Sequence, residues 1–76
     1  MNKRIDIGKV IYNELQRQER GVAWLSNKLN INRMSCYRIF NSYSIDTDLL
    51  ARISEVLNYD FFALYSANLN NKAQQE

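Results

Sequence analysis

Histidine and proline are absent from this chain of 76 residues, and cysteine occurs once, as Cys36. A single cysteine cannot form an internal disulfide, and metal sites normally draw on clusters of cysteine and histidine. Nucleophilic catalysis usually pairs serine or cysteine with histidine. We therefore expect no metal, no cofactor and no enzymatic activity, and we interpret Cys36 as a small buried hydrophobic residue.

Long apolar runs are also absent. No stretch of roughly 18 apolar residues occurs, and the first residues, MNKRIDIGKV, contain no apolar block typical of a signal peptide. We expect no membrane span and a cytoplasmic location. The length allows one domain at most, and a domain of this size buries only about 60% of its unfolded surface.

Acidic residues are missing from the middle of the chain. Residues 20–41 contain four basic side chains and no acid, a net charge of +4, whereas residues 1–19 carry +1 and residues 42–76 carry −3. The four basic residues are Arg20, Lys28, Arg33 and Arg38. A basic segment of this kind is a candidate surface for contact with phosphates.

The spacing of apolar residues is helical throughout and predicts an all-α fold of five helices. We place them at about residues 7–18, 22–29, 33–41, 47–57 and 61–65. The polar stretch 67–76 lacks an apolar stripe, and we predict that it is frayed or disordered. The predicted organisation is therefore one domain over residues 1–66 and a disordered tail over residues 67–76.

The residues at the helix ends support these boundaries. Asparagine readily adopts the left-handed conformation that ends helices, which suits Asn30 and Asn58. Side chains that can cap a helix N-terminus precede four of the predicted helices: Asp6, Asn32, Asp46 and Asp60. Among the aromatic residues we favour a core position for Trp24 and Phe62, and we leave Phe61 and Tyr65 open between the core and a dimer surface.

The third predicted helix has two unlike faces. Cys36, Ile39 and Phe40 form the apolar one. The opposite face is free of acid and consists of Met34, Arg38 and Asn41, with Tyr37 beside them and Arg33 at the first turn. Arginine can bond guanine, asparagine can bond adenine, and a methionine or tyrosine side chain can touch a thymine methyl. In the other interpretation, Met34 and Tyr37 are partly buried under a loop and the arginines are merely solvated; the pattern alone favours neither.

Residues 21–42, GVAWLSNKLNINRMSCYRIFNS, resemble the helix-turn-helix of the Cro and lambda-repressor-like family. Five positions match the family pattern without a gap: Leu25, Leu29, Ile31, Ile39 and Asn41. Ser26 takes the place of a small residue where the two helices touch, and Asn30 takes the place of the usual glycine in the turn. The similarity continues through IGKVIYNELQRQE at the start and DTDLLARISEVLNYDFFALY at the end, and covers about residues 5–65.

The resemblance implies a compact five-helix lambda-repressor-like domain whose second helix crosses the DNA backbone while the third enters the major groove. Carried over by position, the base-facing residues are Arg33, Met34, Tyr37 and Arg38, and the backbone-facing residues are Ser35, Asn41 and Ser42. The charge distribution adds Arg20 and Lys28 as phosphate candidates, and Tyr43 in the following loop could reach a phosphate. Two residues depart from the family pattern: Val22 stands where a glutamine often positions a phosphate, and Phe40 replaces a common glutamate.

Two functions remain as hypotheses. The first is a sequence-specific regulator of transcription, of prokaryotic or phage type, that binds double-stranded DNA as a two-fold pair and takes no small-molecule ligand. The second is a small protein-interaction module, such as an accessory or antitoxin-like partner, that uses Met34 and Tyr37 to bind a protein. Counterion release makes DNA affinity fall steeply with salt, so salt dependence distinguishes the two.

Overall fold

Five helices account for most of residues 4–74, the part of the chain that the computed structural model describes. They are α1 (Ile7–Arg17), α2 (Val22–Leu29), α3 (Arg33–Phe40), α4 (Thr47–Leu57) and α5 (Phe62–Gln74). No strand occurs within residues 4–74. The prediction of an all-α domain of five helices is confirmed, and the bounds of α2 and α4 agree with those expected.

Short polar side chains start four of the helices, as predicted. Asp6 accepts from the amide of Lys9 at the start of α1, and Asn32 accepts from the amide of Ser35 at 2.8 Å at the start of α3. The Asp46 and Asp60 carboxylates each accept from two amides in the first turn of α4 and α5. Each bond satisfies an amide that has no partner inside its helix.

Three helices end at a residue in the left-handed conformation. Asn30 ends α2 with φ of 58°, and Asn58 ends α4 with φ of 51°, as their residue type predicts. Glu19 adopts the same conformation after α1, with φ of 58°. A glutamate is an unusual choice there because it lacks the short polar side chain with which asparagine offsets the steric cost of this conformation through local hydrogen bonds.

The core lies between α1, α2, α3 and α4, and Phe61 completes it from the turn before α5. The closest pairs of helices are α2 with α3, α1 with α3 and α2 with α4. The buried hydrophobic residues are Ile7, Ile11, Leu15, Leu25, Leu29, Cys36, Ile39, Leu50, Ile53, Leu57 and Phe61. Cys36 is fully buried, as predicted, and burial raises the pKa of its thiol.

Gly8 brings α1 into unusually close contact with α3. A Cβ at this position would lie 2.3 Å from the carbonyl oxygen of Ile39 and 2.4 Å from that of Phe40. The amide of Gly8 donates to the carbonyl of Ser42 at 3.0 Å. The C-terminal end of α3 is therefore held against the backbone of α1.

Polar contacts join the other helix ends. The Gln18 side-chain amide donates to the Glu14 carboxylate and to the carbonyl of Leu57, both at 2.7 Å, and so links α1 to the end of α4. The guanidinium of Arg52 donates to the carbonyl of Leu29 at 2.6 Å and links α4 to the end of α2. These bonds satisfy carbonyls that have no partner inside their own helices.

The aromatic residues before and at the start of α5 correct one prediction. Phe62, which we placed in the core, is 37% exposed, whereas Phe61 is fully buried. Phe61 lies in the turn before α5 and its ring belongs to the core, whereas Phe62 is the first residue of the helix. Trp24 is half-buried and packs against the core, which agrees in part with the expected position.

The length of α5 corrects a second prediction. We predicted a helix over residues 61–65 and disorder from residue 67, but the helix continues to Gln74; residues 75 and 76 lie outside the described part. Alanine, leucine, lysine and glutamine all favour helix, so a missing apolar stripe signals little packing rather than the absence of helix. Leu69, which is 65% exposed, illustrates this. Among residues 4–74, no helix has both the length and the apolar character needed to cross a membrane.

Candidate nucleic-acid interface

A tight turn joins α2 to α3. The left-handed Asn30 sends the chain back so that the amide of Ile31 donates to the carbonyl of Ser26 at 3.0 Å. Asn32 then caps α3 two residues later. These three residues are enough to change the direction of the chain between the two helices. The orientation of α3 relative to α2 therefore depends on contacts within the turn.

The inward sides of α2 and α3 meet over small and branched side chains. Ser26 is only 6% exposed, and its hydroxyl donates to the carbonyl of Ala23 at 2.9 Å, so no buried polar group is left without a partner there. Leu25 of α2 and Cys36 and Ile39 of α3 belong to the buried core. This packing leaves the opposite side of α3 free of the core.

The outward face of α3 consists of the four residues predicted to face bases, and all four are exposed: Arg33, Met34, Tyr37 and Arg38. Met34 is 65% exposed and Tyr37 51% exposed. Both side chains are therefore more than half exposed rather than covered by a loop as in the other interpretation, whereas the exposure of the two arginines fits both interpretations. Within residues 4–74, no carboxylate lies within ion-pair distance of Arg33 or Arg38. Their guanidinium groups remain available to an external acceptor.

Two cations on and beside α2 share one aromatic ring. The guanidinium carbon of Arg20 lies 4.4 Å from the centre of the Trp24 ring, and the ammonium nitrogen of Lys28 lies 5.9 Å from it. Both distances suit a cation–π interaction. Trp24 therefore holds Arg20 and Lys28 on one side of α2. These are the two residues that the charge distribution suggested as contacts for phosphates.

The residues after α3 are already engaged with its last turn. The side-chain amide of Asn41 donates to the carbonyl of Tyr37 at 2.9 Å, and the hydroxyl of Ser42 donates to the carbonyl of Arg38 at 2.7 Å. Both donors satisfy helix carbonyls. The one hydroxyl hydrogen of Ser42 is thereby used, so Ser42 must leave this bond to donate to a phosphate, whereas the amide of Asn41 keeps a second N–H for such a contact. Ser35, the third predicted backbone contact, is half-buried in the first turn of α3.

The loop after α3 brings in a cation that the sequence did not indicate. Tyr43 is 51% exposed, and the guanidinium carbon of Arg4 lies 4.9 Å from the centre of its ring. Arg4 precedes α1 and is far from Tyr43 in the sequence. No local pattern could have paired the two, because their proximity depends on the packing of α1 against the end of α3.

Three aromatic rings cross from α1 to α3, and we call them the aromatic row: Tyr12, Phe40 and Tyr37. The Tyr12 and Phe40 ring centres lie 5.2 Å apart with an angle of 70° between the planes, and those of Phe40 and Tyr37 lie 6.1 Å apart with an angle of 82°. Both pairs are edge-to-face, an arrangement that aromatic rings prefer. Sequence reasoning missed Tyr12 because nothing in the pattern of α1 distinguishes it from an ordinary surface tyrosine.

The exposed side chains of this surface are of few chemical types. In the part of the chain that the structure describes, no three residues of the types histidine, cysteine, aspartate and glutamate come together in a way that could hold a metal ion. The surface instead offers guanidinium and ammonium donors, aromatic rings and one thioether. Comparison with known protein families, with characterised proteins and with solved structures finds no match to this chain.

Proposed function

We propose that this protein is a sequence-specific DNA-binding regulator with a lambda-repressor-like helix-turn-helix formed by α2 and α3. In this proposal α3 enters the major groove, and Arg33, Met34, Tyr37 and Arg38 contact base edges. The single observation that carries it is the outward face of α3, where all four of these side chains are exposed, none is acidic and, within residues 4–70, neither arginine has a carboxylate within ion-pair distance.

The surroundings of α3 support the same reading. Arg20 and Lys28, held on the Trp24 ring, are positioned for backbone phosphates on the α2 side, while Tyr43 with its Arg4 partner flanks the other end. Phosphate contacts fix the orientation of a protein on a duplex, and base contacts provide specificity. The presence of both kinds of side chain on and around α2 and α3 supports the proposal.

Binding as a two-fold pair belongs to the proposal. A single helix of this length reads only a few base pairs, and helix-turn-helix proteins usually bind two half-sites about one helical turn apart, roughly 34 Å. Selected sites should then contain inverted repeats at that spacing. Selected sites that contain only one half of the inverted repeat would indicate that a single chain binds.

The test is selection of binding sites from random double-stranded DNA, followed by affinity measurements on the selected site. Arg33→Ala and Arg38→Ala should each weaken binding by about 1–3 kcal/mol and relax the base preference at one position. Arg38→Lys keeps the charge but loses the planar fork that bonds guanine, so it should lose specificity while keeping the salt dependence. Circular dichroism of each variant checks that the fold is intact.

Lys9→Ala is the matched control for removal of a single cation. Lys9 is exposed on α1 and is not one of the predicted DNA contacts, so its removal should leave the base preference unchanged. Unaltered specificity in both arginine variants would contradict the proposed role of α3. If no duplex is selected at about 50 mM salt and a protein partner binds with little salt dependence, the protein-interaction module becomes the better account.

A further inference from the structure

The aromatic row constrains a residue that faces outward. Tyr37 is 51% exposed and its ring would ordinarily exchange between rotamers in water. Here its ring meets Phe40, which is half-buried against the core, and Phe40 in turn meets Tyr12 of α1. Tyr37 therefore projects from a support that extends into another helix.

That support is stiff. The backbones of α1 and α3 touch at Gly8, where no side chain fits, and the Gly8 amide donates to the Ser42 carbonyl. Relative movement of the two helices would break this contact. Tyr12, which is 39% exposed, extends from α1 and meets the Phe40 ring edge-to-face.

Met34 and Tyr37 share a side of α3. Residues three apart on a helix are neighbours, so the thioether side chain and the phenol ring form a continuous apolar surface between Arg33 and Arg38. Both side chains are more than half exposed. In the major groove the apolar group on a base edge is the 5-methyl group of thymine, and no other base carries one.

We propose that Met34 and Tyr37 bind thymine 5-methyl groups, and that Tyr12, acting through Phe40, is the positioning residue that holds the Tyr37 ring for this contact. This inference rests on the proposed DNA-binding function, and it identifies the group on the DNA bases that Met34 and Tyr37 recognise. The recognised sequence then contains A·T pairs whose thymine methyls face Met34 and Tyr37, flanked by pairs that present guanine to the arginines.

Replacing thymine with deoxyuridine tests the methyl contact directly, because the two differ only by that methyl. In the selected duplex, each thymine is replaced in turn. Replacement at one or two positions should lower the affinity about fourfold each, the factor that corresponds to about 0.8 kcal/mol for burial of one methylene-sized group. Met34→Ala should abolish the difference in affinity between thymine and deoxyuridine at the thymine that Met34 contacts. Tyr37→Ala should do the same at the thymine that Tyr37 contacts.

Tyr12 variants test the positioning role. Tyr12→Leu should reduce the preference for thymine over deoxyuridine at the Tyr37 position, while the salt dependence of binding stays that of the original protein because no cation is lost. Tyr12→Phe keeps the ring and removes only the hydroxyl, so it should retain the preference. Phe40→Leu removes the middle ring of the aromatic row. It should therefore reduce the preference for thymine over deoxyuridine at the Tyr37 position, as Tyr12→Leu does.

The outcomes separate this inference from the function on which it rests. Specific binding with equal affinity for thymine and deoxyuridine at every position would overturn the methyl contact and leave DNA reading by the arginines intact. A thymine preference that survives both Tyr12→Leu and Phe40→Leu would overturn the positioning role alone. Failure to select any duplex would overturn the inference together with the proposed function.

Discussion

At the scale of single residues, Gly8 determines how closely α1 and α3 approach. We expect Gly8→Ala to lower the free energy of unfolding by about 1–3 kcal/mol, because the added carbon meets two backbone carbonyls that cannot rotate away. Alanine gains at most about 1 kcal/mol in helix propensity over glycine, so the clash outweighs it. Urea unfolding followed by circular dichroism measures the change.

Gly21 provides the control for this substitution. A Cβ at Gly21 would have no atom within 4 Å, and its φ of −96° suits any residue. Gly21→Ala should change the stability by no more than about 0.5 kcal/mol, since a poorer N-cap is offset by the lower entropy of the unfolded chain. Equal effects of the two substitutions would contradict the close contact at Gly8.

Glu14 is a buried charged residue, and hydrogen bonds from its partners stabilise its carboxylate. It is 7% exposed, and the Arg17 guanidinium donates to its carboxylate through two nitrogens, one at 2.8 Å. The hydrogen bond from Arg17, with a second from Gln18, holds the pKa of Glu14 below its ordinary value of 4.5, against burial, which raises it. The folded state therefore binds a proton at Glu14 less readily than the unfolded state does.

The pH dependence of stability follows from this direction. A carboxylate with a lowered pKa stabilises the fold fully above its unfolded pKa, and the contribution is lost as the pH falls through the folded value. The free energy of unfolding should drop below about pH 4.5 more steeply in the original protein than in Glu14→Gln. Urea midpoints measured from about pH 3 to pH 7 make the comparison, and parallel curves would show that Glu14 does not contribute.

At the scale of helices, α5 is joined to the bundle mainly at its start. Phe61 is fully buried while Phe62 is 37% exposed, although the two are adjacent. Phe61→Ala should destabilise the protein by about 3–5 kcal/mol, a large part of the stability of a small domain, whereas Phe62→Ala should cost less than about 1.5 kcal/mol. Thermal unfolding of the two variants side by side tests this; a larger loss in Phe62→Ala would reverse the assignment.

The elements that the sequence predicted well are those determined by nearby residues. Asp6, Asn32 and Asp46 cap helices because a short acceptor reaches an amide two or three residues away, and Asn30 and Asn58 end helices through their own backbone preference. The outward position of Met34 and Tyr37 also follows from spacing within one helix. Such features depend on no other part of the chain.

The features that the sequence did not reveal depend on distant contacts. In the run FFALY, adjacent aromatic residues could each have faced the core, and the position of the other helices decides in favour of Phe61. Tyr12 and Arg4 reach the end of α3 only because α1 packs against it, so neither could be assigned to the candidate interface from its neighbours in the sequence. The length of α5 was missed because an unpacked helix carries no apolar stripe.

At the scale of the whole molecule, the positive charge is concentrated in the segment that forms α2 and α3. Residues 20–41, which contain α2 and α3, carry +4 with no acid, while residues 42–76 carry −3. A net charge of only +2 would attract DNA weakly if it were spread evenly. Because the positive charge is concentrated around α3, we expect a duplex to be drawn to that side of the protein.

The central claim, that α3 reads bases, is tested most directly by a double-mutant cycle between Arg38 and its base pair. Affinities of the original protein and of Arg38→Ala are measured for the selected duplex and for a duplex altered at the one pair whose preference Arg38→Ala relaxes. If Arg38 reads this pair, altering the pair costs the original protein about 1–3 kcal/mol of binding free energy and costs the variant almost nothing. An equal cost in both proteins would show that Arg38 does not read that base pair and would contradict the account.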